Sequence, residues 1–350
     1  MKAANIQVLA VLSCLVSSLN VAGQPAAPES NWDRALALEA VRNTDTPALL
    51  APLFQLARSG NDQELMAALS AIAQDPEISD PARDYIVFKF SLGLSDLEAG
   101  AVSPQVLEFL SRYRPLTLVA HGDHPRTTVP LFNTRAATAG LRNHWERQEA
   151  SLRAEMLLTQ APERWVASYL AANTAGRRGF EDSLDFASPG PLRELGWHAL
   201  TLLDEMPDLT LITARAGMDS GDIELLQQSL TRGDGAGLSR AFSMVSEKLD
   251  YGDVVLLLDH TLNQASDSRA SLAIAHLAPT RLEDPAIREI LFNTLADQNL
   301  GAAAALVLSA SPDPEIQSRL REIASEKDGL AQHSAALALR VRQAEGGAEQ

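Results

Sequence analysis

Residues 271–279 read SLAIAHLAP, and residues 304–312 read AALVLSASP, 33 positions further on. Ala335 to Val341 continue the series 31 residues later. Each echo follows or precedes an aspartate-proline step, Asp284-Pro285 and Asp313-Pro314, 29 residues apart. An aspartate at the helix N-cap accepts a bond from an orphan backbone N–H, and proline in the first turn gives up a donor that would be unpaired anyway. The repeating unit is therefore an aspartate-proline first helix, a short turn and an Ala/Leu-rich second helix. Its small alanines let neighbouring helices approach closely.

Working outward, Thr46-Pro47, Asp80-Pro81 and Ser103-Pro104 mark further helix starts of the same kind. Behind the starts, apolar residues recur at three- and four-residue intervals, as in Ile287, Ile290, Leu291 and Leu295, and again in Ile316, Leu320 and Ile323. Asn61 with Glu64 makes a capping box ahead of Leu65, Leu69 and Ile72. The stretch from Pro191 to Met206 carries Leu192, Leu195, Ala199, Leu202 and Met206 on one face. The expectation is an all-α chain of short antiparallel helix pairs.

On these motifs the chain resembles the HEAT-repeat family of α-solenoids, most clearly over 267–343 and more weakly over 30–113. The resemblance implies a HEAT-like superhelix and a binding surface, and no activity. Its unit is nearer 30 residues than the roughly 40–47 of larger HEAT and armadillo units. Tetratricopeptide repeats have a period of about 34, but their Trp/Leu-Gly/Tyr pattern does not recur here. The expected organisation is a cleaved leader at 1–23, helical repeats over 24–113, an irregular loop or bend over 114–130, and repeats over 131–350 continuous with the first set.

The bend rests on Pro115, Gly122, Pro125 and Pro130. Residues 173–191, with Gly176, Gly179, Pro189 and Gly190, also read as a break. Tyr85 to Leu92 and Leu209 to Ile212 have strand-like content, yet the Asp80-Pro81 and Pro207-Asp208 steps before them favour helices.

Lys2, the apolar core Val8 to Val16 and the small residues Val21, Ala22 and Gly23 read as a bacterial secretory leader cut after Gly23. The one cysteine, Cys14, lies within it, so the mature chain holds no disulfide and no thiolate nucleophile or metal ligand. An alternative makes Val11 to Cys14 a lipobox with an acylated Cys14, although Leu12 stands where a small residue is usual. Both readings lead out of the cytoplasm, to a periplasmic or secreted protein. No stretch is apolar for the roughly 20 residues that a membrane span needs. Net charge is −16, and loss of Lys2 with the leader makes it −17. Only Lys2, Lys89, Lys248 and Lys327 are lysines, and no cationic stripe is present, which excludes nucleic acid as a partner.

Candidate chemistry is sparse. His121, Asp123 and His124 set two imidazoles and a carboxylate within four residues, a donor set that zinc accepts, with His144 or Glu146 as further ligands. Pro125 takes His124 out of helical geometry, so a solvated turn through Gly122 and Asp123 accounts for the residues more simply. Glu194 and His198 stand one helical turn apart, as an acid/base pair or as solvated surface. His276 reads as a half-buried core histidine, and His260 beside Asp259 as a helix C-terminal charge. Gly233 to Gly237 lacks the GxGxxG spacing of a phosphate cradle and reads as a turn. Trp145, Trp165 and Trp197 sit in apolar periodic patterns and read as core, Trp145 having a groove-lining alternative beside Arg142 and Arg147. No catalytic residue and no cofactor is expected.

Three functions are consistent with this pattern. An exported, non-enzymatic scaffold holds a protein or peptide on a concave helical-repeat surface. A metal-binding protein or metal-dependent enzyme uses His121, Asp123 and His124. An envelope-remodelling enzyme with a helical superhelix needs a separate catalytic domain, for which the repeats leave little room. The first is the expectation carried forward.

Overall fold

The computed structural model describes residues 31–124, 126–326 and 329–348, the side chains being described as far as residue 344. The expected leader with Cys14, and Pro125, lie outside the described residues. Within them the chain is all-helical, with eighteen α-helices and two short strands. No helix is long and apolar enough to cross a membrane. Two compact units divide the chain after Leu141.

The first unit contains α1 (Arg34–Arg42), α2 (Thr46–Ser59), α3 (Asp62–Gln74), α4 (Asp80–Gly93) and α5 (Pro104–Arg112), then β1 (Leu118–Ala120) and β2 (Thr128–Pro130). Helix α4 is its centre, packed on α1, α2 and α3 with Ile86, Val87 and Phe90 fully buried. The strands pair antiparallel, with Val119 opposite Val129. Asp84 of α4, itself buried, ties the hairpin down: it accepts from the Tyr113 hydroxyl at 2.7 Å and from the backbone N–H of Leu116 and Thr117 at 2.9 and 2.7 Å. Burial holds its carboxyl above the usual aspartate range, against the pull of these donors.

Helix α6 (Thr134–Gln160) begins in the first unit and continues into the second. There follow α7 (Pro162–Ala171), α8 (Thr174–Ser183), α9 (Pro189–Thr201), α10 (Thr210–Ser220), α11 (Ile223–Arg232) and α12 (Gly235–Lys248). The chain ends with α13 (Tyr251–Gln264), α14 (Asp267–Leu277), α15 (Pro285–Thr294), α16 (Gly301–Ala310), α17 (Pro314–Ser325) and α18 (Leu330–Ala348). Several consecutive helices pack, most extensively α9 with α10, α10 with α11 and α17 with α18, and so do helices two apart: α7 on α9, α9 on α11, α11 on α13 and α13 on α15. Likewise α10 packs on α12, α12 on α14, α14 on α16 and α16 on α18.

The apolar core of this unit is drawn out along the chain. One cluster runs from Ala150 to Leu225 and the next from Ala214 to Ala338. Each helix presents one stripe to it, as α15 does with Ile287 and Leu291, and each such fully buried aliphatic side chain contributes about 1.5–3 kcal/mol.

Asp284 and Asp313 cap α15 and α17 as expected, accepting from the N–H of Ala286 and Glu315. Ser103 is the N-cap residue of α5, whereas α2 takes its cap from Asp45, one residue before the expected Thr46. Tyr85 to Leu92 are helical in α4; Leu209 closes a short 3-10 turn, and Thr210 to Ile212 open α10.

Two expected breaks differ. Residues 114–130 contain the hairpin, because Asp84 satisfies the backbone where the chain leaves α5. Residues 173–191 contain all of α8, in which Gly179 is required by close packing. A Cβ there would lie 2.2 Å from the Arg147 carbonyl oxygen and 2.8 Å from the Ala150 Cβ.

Candidate functional site

His121, Asp123 and His124 occupy the hairpin connection. The His121 N–H donates to the Thr127 carbonyl and the Thr127 N–H to the His124 carbonyl, both at 2.8 Å. The two imidazoles stack with centroids 5.5 Å apart, and His121 Nδ1 accepts from the Asp123 N–H at 3.2 Å. That bond occupies one of the ring nitrogens a metal would use. Among the described residues no group of three His, Cys, Asp or Glu is disposed to hold a metal ion.

His276 and the tryptophans singled out in the sequence are packed, whereas His144 is exposed. His276 is half-buried, its Nδ1 3.2 Å from the Ser243 hydroxyl and its ring stacked on Phe242. Trp165 is fully buried and Trp145 nearly so. Trp197 is half-buried, and its indole N–H donates to Asp222 Oδ2 at 3.0 Å. The Asp222 carboxylate also accepts from the Leu225 N–H and pairs with Arg193 at 3.2 Å. Burial acts to raise its pKa, but these partners outweigh it and hold the carboxyl below its usual range. Glu194 is exposed and His198 half-buried, with no hydrogen bond between them among the described residues.

The concavity with converging polar groups lies elsewhere, between α6, α7 and α8. It has a volume of about 490 Å3. Helix α6 contributes Glu146, Glu149 and Arg153 at helical spacing, α7 contributes Ser168, and the turn before α8 contributes Asn173. Ala150, Ala171, Ala172 and Phe180 form the apolar floor.

Local sequence explains this construction. Pro162 opens α7, and Asn173 caps α8 by accepting from the Gly176 N–H at 3.0 Å, while its amide donates to Glu146 Oε1 at 2.7 Å. Gly179 lets α8 lie directly on α6, and Arg147 pairs with Asp182 across the same contact. Beneath, Phe180 meets Trp165 edge-on at 5.1 Å, and Trp165 stacks on Tyr169 at 5.5 Å. Buried and beside Glu181, the Tyr169 hydroxyl is pushed up to about 12, so it stays a donor, to Glu181 at 3.3 Å. The cavity thus rests, through Phe180, on a packed aromatic block, whereas Glu149, Arg153 and Ser168 on its rim have no hydrogen bond or ion pair among the described residues.

Sequence reasoning missed this groove and also a second feature of the unit. Arginines join helices about thirty residues apart. Arg177 pairs with Asp208, Arg232 with Asp204, and Arg319 with Glu289. Others donate to the carbonyls at helix C-termini: Arg215 to Glu181 O, Arg269 to Gly233 O, Arg281 to Ser246 O and Leu249 O, and Arg342 to Ser309 O. Arginine suits this work because its planar fork reaches two acceptors at once. The excess of arginine over lysine in the composition was the available signal.

Compared with protein-family models, with curated proteins and with solved structures, the chain matches none.

Proposed function

We propose that this chain is an exported, non-enzymatic scaffold that holds a protein or peptide partner on the surface of a HEAT-like helical solenoid. The observation that carries the reading is the packing of helices two places apart in the second unit, α7 through α15 in one row and α10 through α18 in the other. In such a stack each pair contacts only its neighbours, the core runs lengthwise, and the helices offer an extended surface to a ligand. The drawn-out apolar clusters and the recurring arginine pairs between neighbouring helix pairs support the same architecture. The α6 to α8 groove supplies a contact point with polar groups set above an apolar floor, the usual composition of a binding site.

Site-specific photocrosslinking in cells tests the proposal. A crosslinker at Ser168, on the groove rim, is expected to capture one reproducible partner, and one at the exposed Leu256 on α13 is expected to capture none. Equal, diffuse labelling from both positions would end the proposal. N-terminal sequencing of the protein recovered from the envelope fraction, expected to begin at Gln24, tests export.

A further inference from the structure

Along α6 the groove is polarised. Glu146 and Glu149 stand at its start and Arg153 about one turn beyond, the 149 and 153 positions being about 6 Å apart along the helix axis. A glutamate four residues before an arginine ordinarily pairs with it across the helix surface. Here Glu149 and Arg153 make no ion pair, and both border the same cavity. Ser168 adds an unpartnered hydroxyl from α7, and the alanines, with the edge of the buried Phe180, supply the apolar part of the same lining.

We infer that the groove binds a peptide C-terminus ending in lysine, an occupant that rests on the scaffold reading above. The ligand's ammonium meets Glu149, with Glu146 beside it, and its terminal carboxylate meets Arg153. The Ser168 hydroxyl donates to that carboxylate. An extended lysine side chain carries its ammonium several ångströms from its α-carboxylate, on the scale of the rise of about 6 Å between positions 149 and 153 of α6. Its methylene stem covers the apolar floor, as lysine stems do elsewhere. A C-terminal aspartate or glutamate would set its side-chain carboxylate against Glu149, so the same charges exclude acidic ends.

The test is fluorescence anisotropy on the full mature chain with three labelled pentapeptides: one ending in lysine with a free carboxylate, its C-terminal amide, and the norleucine analogue with a free carboxylate. Charge-assisted hydrogen bonds in a half-open site predict that the amide and the norleucine peptide each bind about five- to tenfold more weakly. Glu149→Gln removes the preference for lysine over norleucine, and Arg153→Ala removes the preference for the acid over the amide. Both residues are exposed, and unchanged circular dichroism confirms that the variants fold. Binding weakens as salt is raised, because the charges sit near the surface. Equal binding of all three peptides, unchanged selectivity in the two variants, or no binding at millimolar peptide would overturn the inference. If the crosslinked partner of the Ser168 position survives in the Glu149→Gln, Arg153→Ala double variant, the scaffold stands and only this occupant falls.

Discussion

Gly179→Ala isolates the contact that makes the groove. An added Cβ would lie 2.2 Å from the Arg147 carbonyl oxygen, 2.8 Å from the Ala150 Cβ and 3.0 Å from the Arg147 carbonyl carbon. Ordinary contacts fall at about 3.5–4.0 Å, so α8 has to retreat from α6 by about 1 Å. Two of the three atoms are backbone, which leaves no flexible side chain to swing aside. Overpacking of this kind costs about 1–3 kcal/mol, and the better helix propensity of alanine returns up to about 1 kcal/mol. Because the clash is with backbone, the upper part of that range applies and the net loss is about 1–2 kcal/mol, a fall in the unfolding midpoint of roughly 2–8 °C for a unit of this size. Gly140→Ala is the control: it lies in α6 with nothing within 4 Å of the added carbon, and the same substitution there raises stability by up to about 1 kcal/mol. Thermal unfolding followed by far-ultraviolet circular dichroism measures both. A Gly179→Ala protein as stable as wild type would refute the close contact and the groove geometry derived from it.

Asp84→Asn turns an amide donor toward donors that the carboxylate now accepts from, and is expected to cost about 1–3 kcal/mol in urea unfolding. Because the folded-state pKa of Asp84 is raised, the folded protein binds its proton more tightly than the unfolded chain. The stability difference between wild type and Asp84→Asn therefore narrows as pH rises above about 3.8, and a gap that widens instead would contradict the assignment. Arg342→Ala strips the cap from the C-terminus of α16 and is expected to lower stability by about 1–2 kcal/mol, whereas substitution of the exposed Arg340 changes little. Elemental analysis of purified protein is expected to find no stoichiometric zinc; zinc lost in a His121→Ala, His124→Ala double variant would replace the scaffold with the metal reading.

The helical class was legible because its signals are local. Asp284 and Asp313 act within three residues of themselves, and the stripe of Ile287 and Leu291 is a property of one helix. Tyr85 to Leu92 form helix despite their strand-like side chains because the proline step before them and burial in α4 outweigh β propensity. Where partners are distant in sequence, reading failed. Gly176 and Gly179 looked like breakers, but Gly179 answers to Arg147, 32 positions earlier on another helix. The hairpin at 118–130 depends on Asp84, a single carboxylate more than thirty residues upstream of the N–H groups it binds. The groove was hidden for the same reason: Glu149 and Arg153 look like an ordinary exposed pair until α7 and α8 are seen to border the same cavity. His121 and His124, conspicuous in sequence, lie at a turn that uses their backbone groups and one ring nitrogen.

The row of helices packed two apart is tested most directly by engineered disulfides, since Cys14 is the one cysteine of the sequence. Ser246 on α12 and Thr280 just after α14 have their hydroxyls 2.8 Å apart. Ser246→Cys, Thr280→Cys is expected to form an intramolecular disulfide under mild oxidation in the folded protein, and Ser246→Cys, Ala310→Cys, which reaches to α16, is expected to form none. Failure of the first pair, or equal formation of both, would show that α12 and α14 are not neighbours in the stack.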